Sequence, residues 1–183
     1  MIIFVIGFIF ISILGIILHF VYEKSGHNEV VGIFSAVNES TWEHIKIALT
    51  PAFVYSVVDG YFYGNNPNYF FAKLIGILSI IIIIPLIFYT YTKIAKKNIL
   101  FIDISSFFIT VFLSQFFTHK ILLLDPITFD LKYISLILLF VVFGFYLLAT
   151  MYPLQNQIFK DPITKKYGLE GHPEKEYNKG KKK

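Results

Sequence analysis

Four ionisable side chains in this chain of 183 residues have the types and placement needed for chemistry beside long apolar segments. They are His19, Glu39, His44 and Asp103. Two imidazoles and a carboxylate with one open position form the ligand set of a hydrolytic zinc site. Alternatively, an imidazole can act as a general base that a carboxylate orients. We name His44, Glu39 and Asp103 as candidate catalytic residues. We name His19, His44 and Asp103 as candidate ligands of a divalent metal ion.

The spacing of the histidines does not favour a metal site. No two histidines are four residues apart, the spacing at which one helix presents both imidazoles to the same ion. Any metal ligands would therefore have to converge from different helices. The alternative is that the imidazoles hydrogen-bond between helices or titrate at the membrane surface.

Residues 40–43, Ser-Thr-Trp-Glu, have the form of a capping box and predict a helix that begins at Ser40. In such a box the Glu43 carboxylate accepts a hydrogen bond from the Ser40 amide, so both residues are predicted to have a structural capping role. Glu39 precedes the helix and is not explained by the box. It is predicted either to pair with Lys46 as an interfacial carboxylate or to serve the site. Asn38 also has no local structural role in this prediction.

The composition predicts an all-α integral membrane protein. The chain is 56% hydrophobic and 19% aromatic, with a mean hydropathy of +0.66. Apolar runs of about 20 residues recur, which is the length of helix that crosses a bilayer. They predict a helical bundle of about five transmembrane helices at 1–153, followed by a lysine-rich tail at 154–183. The predicted helices cover residues 2–21, 40–63, 69–94, 99–123 and 129–152.

The charged residues predict an orientation and a partner. All 16 basic side chains are Lys, and the net charge is +4. Without Cys the chain can form neither disulfides nor thiolate metal sites, and without Arg it has no bidentate clamp for phosphate or carboxylate. Lysines are concentrated at 93–97 and in the tail. The C-terminus is therefore predicted on the cytoplasmic side of the cell membrane and the N-terminus on the outer side. No nucleic-acid motif accompanies this charge, and membrane lipids are the predicted partner.

In this orientation, polar groups from all five predicted helices lie at the cytoplasmic level. They are His19, Glu43, His44, Tyr89, Tyr91, Asp103, Thr150 and Tyr152. Polar side chains within spans usually face a bundle interior or a water-filled cavity. We therefore predict a cytoplasm-facing polar pocket. Its candidate ligand-binding residues are Asn38, His19, Tyr89 and Tyr91.

Small residues at helical spacing predict where helices approach each other closely. Such faces are formed by Ser12 with Gly15 and by Gly76 with Ser79. On the predicted fourth helix, one polar face is shared by Asp103, Ser106, Thr110 and Ser114. Near the other membrane surface, Asp59 and His119 are predicted to be exposed groups.

Residues 34–46, the Tyr-Thr-Tyr helix end at 89–91, Asp103 and residues 159–168 resemble a family of small bacterial multi-pass membrane proteins of unknown function. The most specific part of this resemblance is the run Asn-Glu-Ser-Thr-Trp-Glu-His at 38–44. The resemblance brings no activity to the chain. It implies that residues 38–44 and the segment 159–168, a possible short docking segment of the tail, belong to one architecture.

Three classes of function follow from this sequence. In the predicted one, the pocket binds or processes a lipid or small amphipathic ligand, with a histidine as base and a carboxylate as orienter. Alternatively, the protein moves a solute or an ion, although five spans do not divide into two equal repeats and the chain has no ATP-binding loop. A third possibility is a non-catalytic subunit that associates with a partner membrane protein or with copies of itself.

Overall fold

The computed structural model describes residues 2–127 and 131–172, and within these residues the protein is built from helices. Six α-helices occur in the order α1 (Ile2–Lys24), α2 (Glu29–Phe34), α3 (Thr41–Tyr63), α4 (Tyr69–Ala95), α5 (Leu100–Leu122) and α6 (Leu131–Leu148). A short 3₁₀ turn follows at Gly168–Gly171. The all-helical prediction is confirmed for the described residues.

Four of the described helices, α1, α4, α5 and α6, are long and apolar enough to cross a membrane. Their most apolar windows have mean hydropathies of 2.9, 2.7, 1.8 and 2.3. These helices support the predicted membrane-embedded protein. The predicted fifth span corresponds to α3, which has 23 residues but carries Glu43, Lys46 and Asp59. Charged residues of this kind lower the hydropathy by which spans are recognised.

Two predicted helix ends differ from the structure by a turn or nearly a turn, and other boundaries differ by single residues. The first helix continues past residue 21 to Lys24. The last helix ends at Leu148 and not at 152, and residues 149–152 form turns in which Thr150 accepts a hydrogen bond from Lys46 of α3 (2.8 Å). The predicted start of the last helix at 129 and the end of the tail after His172 lie outside the described residues.

Helix α3 lies at the centre of the bundle. Thirteen of its 23 residues are buried, whereas α6 buries only Ser135 and Tyr146. The hydrophobic core follows α3 from Trp42 to Tyr55 and includes side chains of α1, α4, α5 and α6. The carboxylates and the lysine of α3 are therefore covered by protein. The outer surface is formed by apolar side chains of the other long helices and of the second half of α3, which exposes Val54, Val57, Val58, Tyr61 and Phe62.

The long helices alternate in direction, so the bundle has two ends. At one of them α1, α4 and α6 end and α3 and α5 begin; we call it the lysine-rich end, because it carries Lys93, Lys96, Lys97, Lys160, Lys165 and Lys166. At the opposite end the Tyr55 hydroxyl of α3 donates to Ile3 O of α1 (2.6 Å). Asn68, just before α4, donates there to Ile121 O of α5 (3.2 Å).

Helices α1 and α3 meet closely at Gly15. A Cβ at this position would lie 2.8 Å from Ile47 O and 2.5 Å from Phe107 Cζ. The Ile47 carbonyl lacks its usual helical donor because residue 51, four positions later, is proline, and the missing side chain of Gly15 gives this carbonyl space. Ser12 and Gly15 are both buried, so the predicted small-residue face of α1 is confirmed.

A second close contact joins α4 and α5. The Ser114 hydroxyl donates to Gly76 O (2.8 Å), and a Cβ at Gly76 would overlap Thr118 Oγ1. Ser106 and Thr110 are buried on the same stripe of α5. This stripe faces protein, as its spacing predicted.

Adding one methyl group at Gly15 is expected to destabilise the bundle. Gly15→Ala would force apart the contact between α1, α3 and α5, which costs about 1–3 kcal/mol for overpacked sites. Gly144→Ala is a matched control, because nothing lies within 4 Å of a Cβ at Gly144 in α6. Thermal unfolding in detergent should give a lower midpoint for Gly15→Ala alone. Equal midpoints for the two variants would contradict this packing.

Candidate functional site

Residues 38–44 form the receptor for the C-terminal strap, by which we mean residues 158–172. The Asn38 side chain donates to Gly168 O (2.8 Å) and accepts from the Ser40 amide (2.8 Å). The Trp42 ring stacks on Phe159 at 4.8 Å between centroids, and its amide donates to Ile158 O (2.9 Å). The segment predicted to dock at 159–168 is thus packed on the bundle. Asn38 was predicted to bind a ligand, but its amide holds the strap instead.

The buried carboxylate of Asp161 holds the strap in its folded conformation. It is fully buried, and its Oδ1 accepts from the Glu39 amide (3.0 Å). Its Oδ2 accepts from the amides of Ile163 and Thr164 and from the Thr164 hydroxyl. An Asp followed by Pro favours such a turn, because its carboxylate bonds to the amides two and three residues on. One carboxylate therefore closes the turn and fastens it to residue 39.

The predicted capping box does not form. Ser40 occupies the N-cap position of α3, yet its hydroxyl has no hydrogen-bond partner within the described residues. Glu43 accepts from the Val37 amide (2.9 Å) and pairs with Lys46 Nζ (2.5 Å). The Ser40 amide is already bonded to Asn38. The box is replaced because a buried carboxylate gains more from a cation than from an amide of its own turn.

The ion pair between Glu43 and Lys46 belongs to the core. The two side chains are 1% and 0% exposed, and Lys46 also donates to Gly32 O and Thr150 Oγ1, both at 2.8 Å. All three donors of the ammonium are thus used. Lys46 was predicted as a possible partner of Glu39, but it is buried with Glu43, and the pair is closed to ligands.

Three of the predicted functional residues converge at the lysine-rich end. The Glu39 carboxylate lies 3.9 Å from His19 Nε2 and 3.8 Å from His44 Nε2, and the two imidazole rings are 5.8 Å apart. His44 Nδ1 contacts Ser40 O (2.9 Å). A carbonyl only accepts, so a neutral His44 carries its proton on Nδ1 and turns an acceptor toward Glu39. The cluster is partly exposed, and one carboxylate faces both imidazoles there.

Asp103 does not share this cluster. Its carboxylate accepts a hydrogen bond from the Tyr91 hydroxyl, which itself accepts from the Ile99 amide (3.3 Å). Asp103 and Tyr91 therefore join the end of α4 to the start of α5. Within residues 2–127 and 131–172, no group of three or more His, Asp and Glu side chains is placed to hold a metal ion. The predicted ligand set of His19, His44 and Asp103 is not assembled there.

A cavity of about 370 Å³ opens beside this cluster. It lies between the start of α3, the end of α4 and the strap. Its walls are formed by Glu39, Thr41, Phe88, Tyr89, Thr92, Asn98, Gln157, Lys160, Asp161, Pro162 and Lys165. Of the predicted site residues, Glu39 and Tyr89 line the cavity, and the Tyr89 hydroxyl lies 3.3 Å from Thr41 Oγ1. Lys160 and Lys165 were predicted only as lipid contacts of a tail. Their position in the segment predicted to dock was the signal that could have placed them in the cavity wall.

The opposite end holds a second buried ion pair. Asp59 is 4% exposed and accepts from Tyr69 (2.7 Å) and Lys73 (2.8 Å). The prediction that Asp59 is an exposed surface group is wrong, because Lys73 and Tyr69 on α4 neutralise it inside the bundle. A neighbouring cavity has only about 20 Å³, room for about one water molecule.

Comparisons with known proteins identify a family but no activity. The model of a family of unknown function, DUF6512, matches residues 1–169. No curated protein and no solved structure matches the chain.

Proposed function

Because the chain belongs to the family of unknown function DUF6512, its role has to be inferred from its own geometry, and we propose that it is a membrane protein that binds an amphipathic ligand in the cavity at its lysine-rich end. Several segments that are distant in sequence contribute polar groups to that cavity. Protein sites for small molecules have about this volume and combine apolar walls with a few polar groups.

The topology proposed here has five spans, with α3 as the fifth. Its length of 23 residues corresponds to about 35 Å of helix, enough to cross a bilayer core of about 30 Å. Its charges form buried ion pairs and need not meet lipid. Lysines are concentrated at one end of the bundle, which the positive-inside rule places on the cytoplasmic side of the cell membrane. The cavity and the C-terminus therefore face the cytoplasm, and the N-terminus lies on the outer side.

The single observation that carries the proposal is the volume of the cavity together with its lining. Tyr89 and Phe88 come from the last turns of an apolar helix, at the level where a membrane helix meets the headgroup layer. Polar groups of the strap cover the other side. A ligand with one apolar and one polar part fits such a boundary better than a fully polar solute.

Transport has less support. Between its two buried ion pairs, α3 buries Ala48, Leu49 and Ala52, and the hydroxyls of Thr50 and Tyr55 that it also buries there are hydrogen-bonded within the bundle, to Phe34 O and Ile3 O. Ligand binding therefore accounts for the observed polar groups without requiring a path across the bundle.

Chemical processing of the ligand would involve the neighbouring cluster. Glu39 belongs to both the cavity wall and the cluster. In that form of the proposal His44 acts as the base, because its Nδ1 is fixed by Ser40 O and its Nε2 is left to accept a proton.

Filling the cavity tests the proposal. Thr92→Trp would place an indole in the cavity, whereas Thr90→Trp adds the same group at an exposed position of the same helix, outside the cavity wall. Purified proteins would be extracted, and the bound small molecules quantified by mass spectrometry. We expect the wild type and Thr90→Trp to retain the same amphipathic ligand and Thr92→Trp to lose most of it. Retention of equal amounts by both variants, or an empty wild type, would refute the proposal.

A further inference from the structure

We propose that the polar part of the ligand is an anionic phosphate headgroup, held by the ammonium groups of Lys160 and Lys165. This inference rests on the proposed binding function of the cavity and names the chemical class of its ligand. It follows from the distribution of charge around the cavity.

The carboxylates in the cavity wall are already engaged. Asp161 is buried and accepts four hydrogen bonds, from three amides and a hydroxyl. Amide and hydroxyl donors stabilise its negative charge without any cation. Glu39 is directed at His19 and His44, at 3.9 and 3.8 Å. Asp161 therefore needs no lysine of the strap for charge compensation, and Glu39 forms no ion pair with either lysine of the wall.

The two lysines in the wall lack acidic partners within the described residues. Lys160 is partly buried and forms no ion pair with them. Lys165 donates one hydrogen bond, to Pro162 O (2.6 Å), which leaves two of its three ammonium donors for another acceptor. Two ammonium groups without acidic partners in the cavity wall can donate charge-assisted hydrogen bonds to an anion.

The backbone of the strap keeps these two lysines together. Lys160 and Tyr167 form an antiparallel bridge, and the Asp161 amide donates to Lys166 O (2.9 Å). Lys165, with φ of 61° in the left-handed region, lies in the turn between them. The backbone positions of the two lysines are thus set by a folded turn and not by a loose tail.

The remaining wall suits the rest of a phosphate-bearing lipid. The hydroxyls of Thr41 and Tyr89 and the amides of Asn98 and Gln157 can bond to the oxygens of a headgroup, and Phe88 offers an apolar contact. The chain has no Arg, so phosphate recognition must use lysine, which binds phosphate as a point charge.

The test compares lysine variants in their affinity for defined lipids. The double variant Lys160→Gln with Lys165→Gln removes both charges from the wall. The control removes two exposed lysines from the same end, Lys24→Gln with Lys97→Gln. Binding of phosphatidylglycerol and phosphatidylcholine would be titrated by native mass spectrometry of the full chain. We expect phosphatidylglycerol binding to weaken about 30-fold in the wall variant, equivalent to about 2 kcal/mol, and to change little in the control.

The outcomes separate this inference from the proposed function. If Thr92→Trp abolishes lipid binding while the wall variant binds as the wild type does, the cavity binds an amphiphile but the anion inference is wrong. If Thr92→Trp has no effect, the proposed function fails first. Equal wild-type affinity for phosphatidylcholine would also overturn the anion inference. Competition by inorganic phosphate at the same lysines would support it, whereas binding of inorganic phosphate without binding of phosphatidylglycerol would identify a soluble phosphate as the source and overturn the headgroup. Unchanged fluorescence of the single tryptophan, Trp42, would show that the wall variant keeps its strap docked.

Discussion

Lys46→Met is expected to lower the free energy of unfolding by about 3–5 kcal/mol, the usual cost of leaving one partner of a buried ion pair without the other. Glu43 is 1% exposed and would keep only its hydrogen bond from the Val37 amide. Gly32 O and Thr150 Oγ1 would also lose the ammonium donor that they share. Since Lys46 connects α3 with the turns after α6, the variant should loosen both elements.

A compensating variant separates charge from packing. Glu43→Gln combined with Lys46→Met removes both charges, and we expect it to recover at least half of the lost stability, because buried ion pairs are replaceable by neutral groups. Lys97→Met serves as the control at an exposed position. Unfolding by denaturant in detergent gives the four free energies. A double variant as unstable as Lys46→Met alone would show that uncompensated charge is not the cause.

Asp161→Ala is expected to release the C-terminal strap from the bundle. The substitution leaves the amides of Glu39, Ile163 and Thr164 without their acceptor. A buried donor that loses its partner costs about 1–3 kcal/mol. We expect the combined cost of the three unpaired amides to exceed the free energy that holds the strap on the bundle. Phe159 would then leave the Trp42 ring on which it stacks.

The single tryptophan reports this release. Trp42 is 4% exposed when the strap is docked, so Asp161→Ala should shift its emission to longer wavelength as water reaches the ring. Protease should also cleave within residues 158–172 in this variant and not in the wild type. Asp125→Ala, at an exposed position in the turn after α5, is the matched control. Unchanged emission and an unchanged cleavage pattern in Asp161→Ala would contradict the role given to this carboxylate.

Release of the strap would also remove part of the proposed binding site. The cavity wall includes Gln157, Lys160 and Lys165. They reach it because neighbouring residues of the strap accept hydrogen bonds from the amides of Glu39 and Trp42 at the start of α3. Ligand loss in Asp161→Ala is therefore expected to accompany the fluorescence change. The lysine variants differ from it, because they should lose the ligand while the strap stays in place.

The sequence alone determined the features that depend on local periodicity. Apolar runs predicted the long helices, small residues at helical spacing predicted the contacts at Gly15 and Gly76, and residues 159–168 were recognised as a segment able to dock. The clustering of lysines at one end also follows from chain order once the helices alternate. Each of these features depends on residues a few positions apart.

Only the tertiary structure decided which distant groups became partners. The local pattern offered Glu43 the Ser40 amide, but burial beside Lys46 and Val37 gave its carboxylate stronger partners. Asp103 likewise joined Tyr91 instead of the histidines, and Asp59 was neutralised by Lys73 inside the bundle. A buried charge is placed by whichever donor or cation the packing brings to it, because leaving it unpaired costs more than any local preference contributes. Helix spacing does not contain that information, and so Asn38 became a strap contact while Glu39 remained beside the cavity.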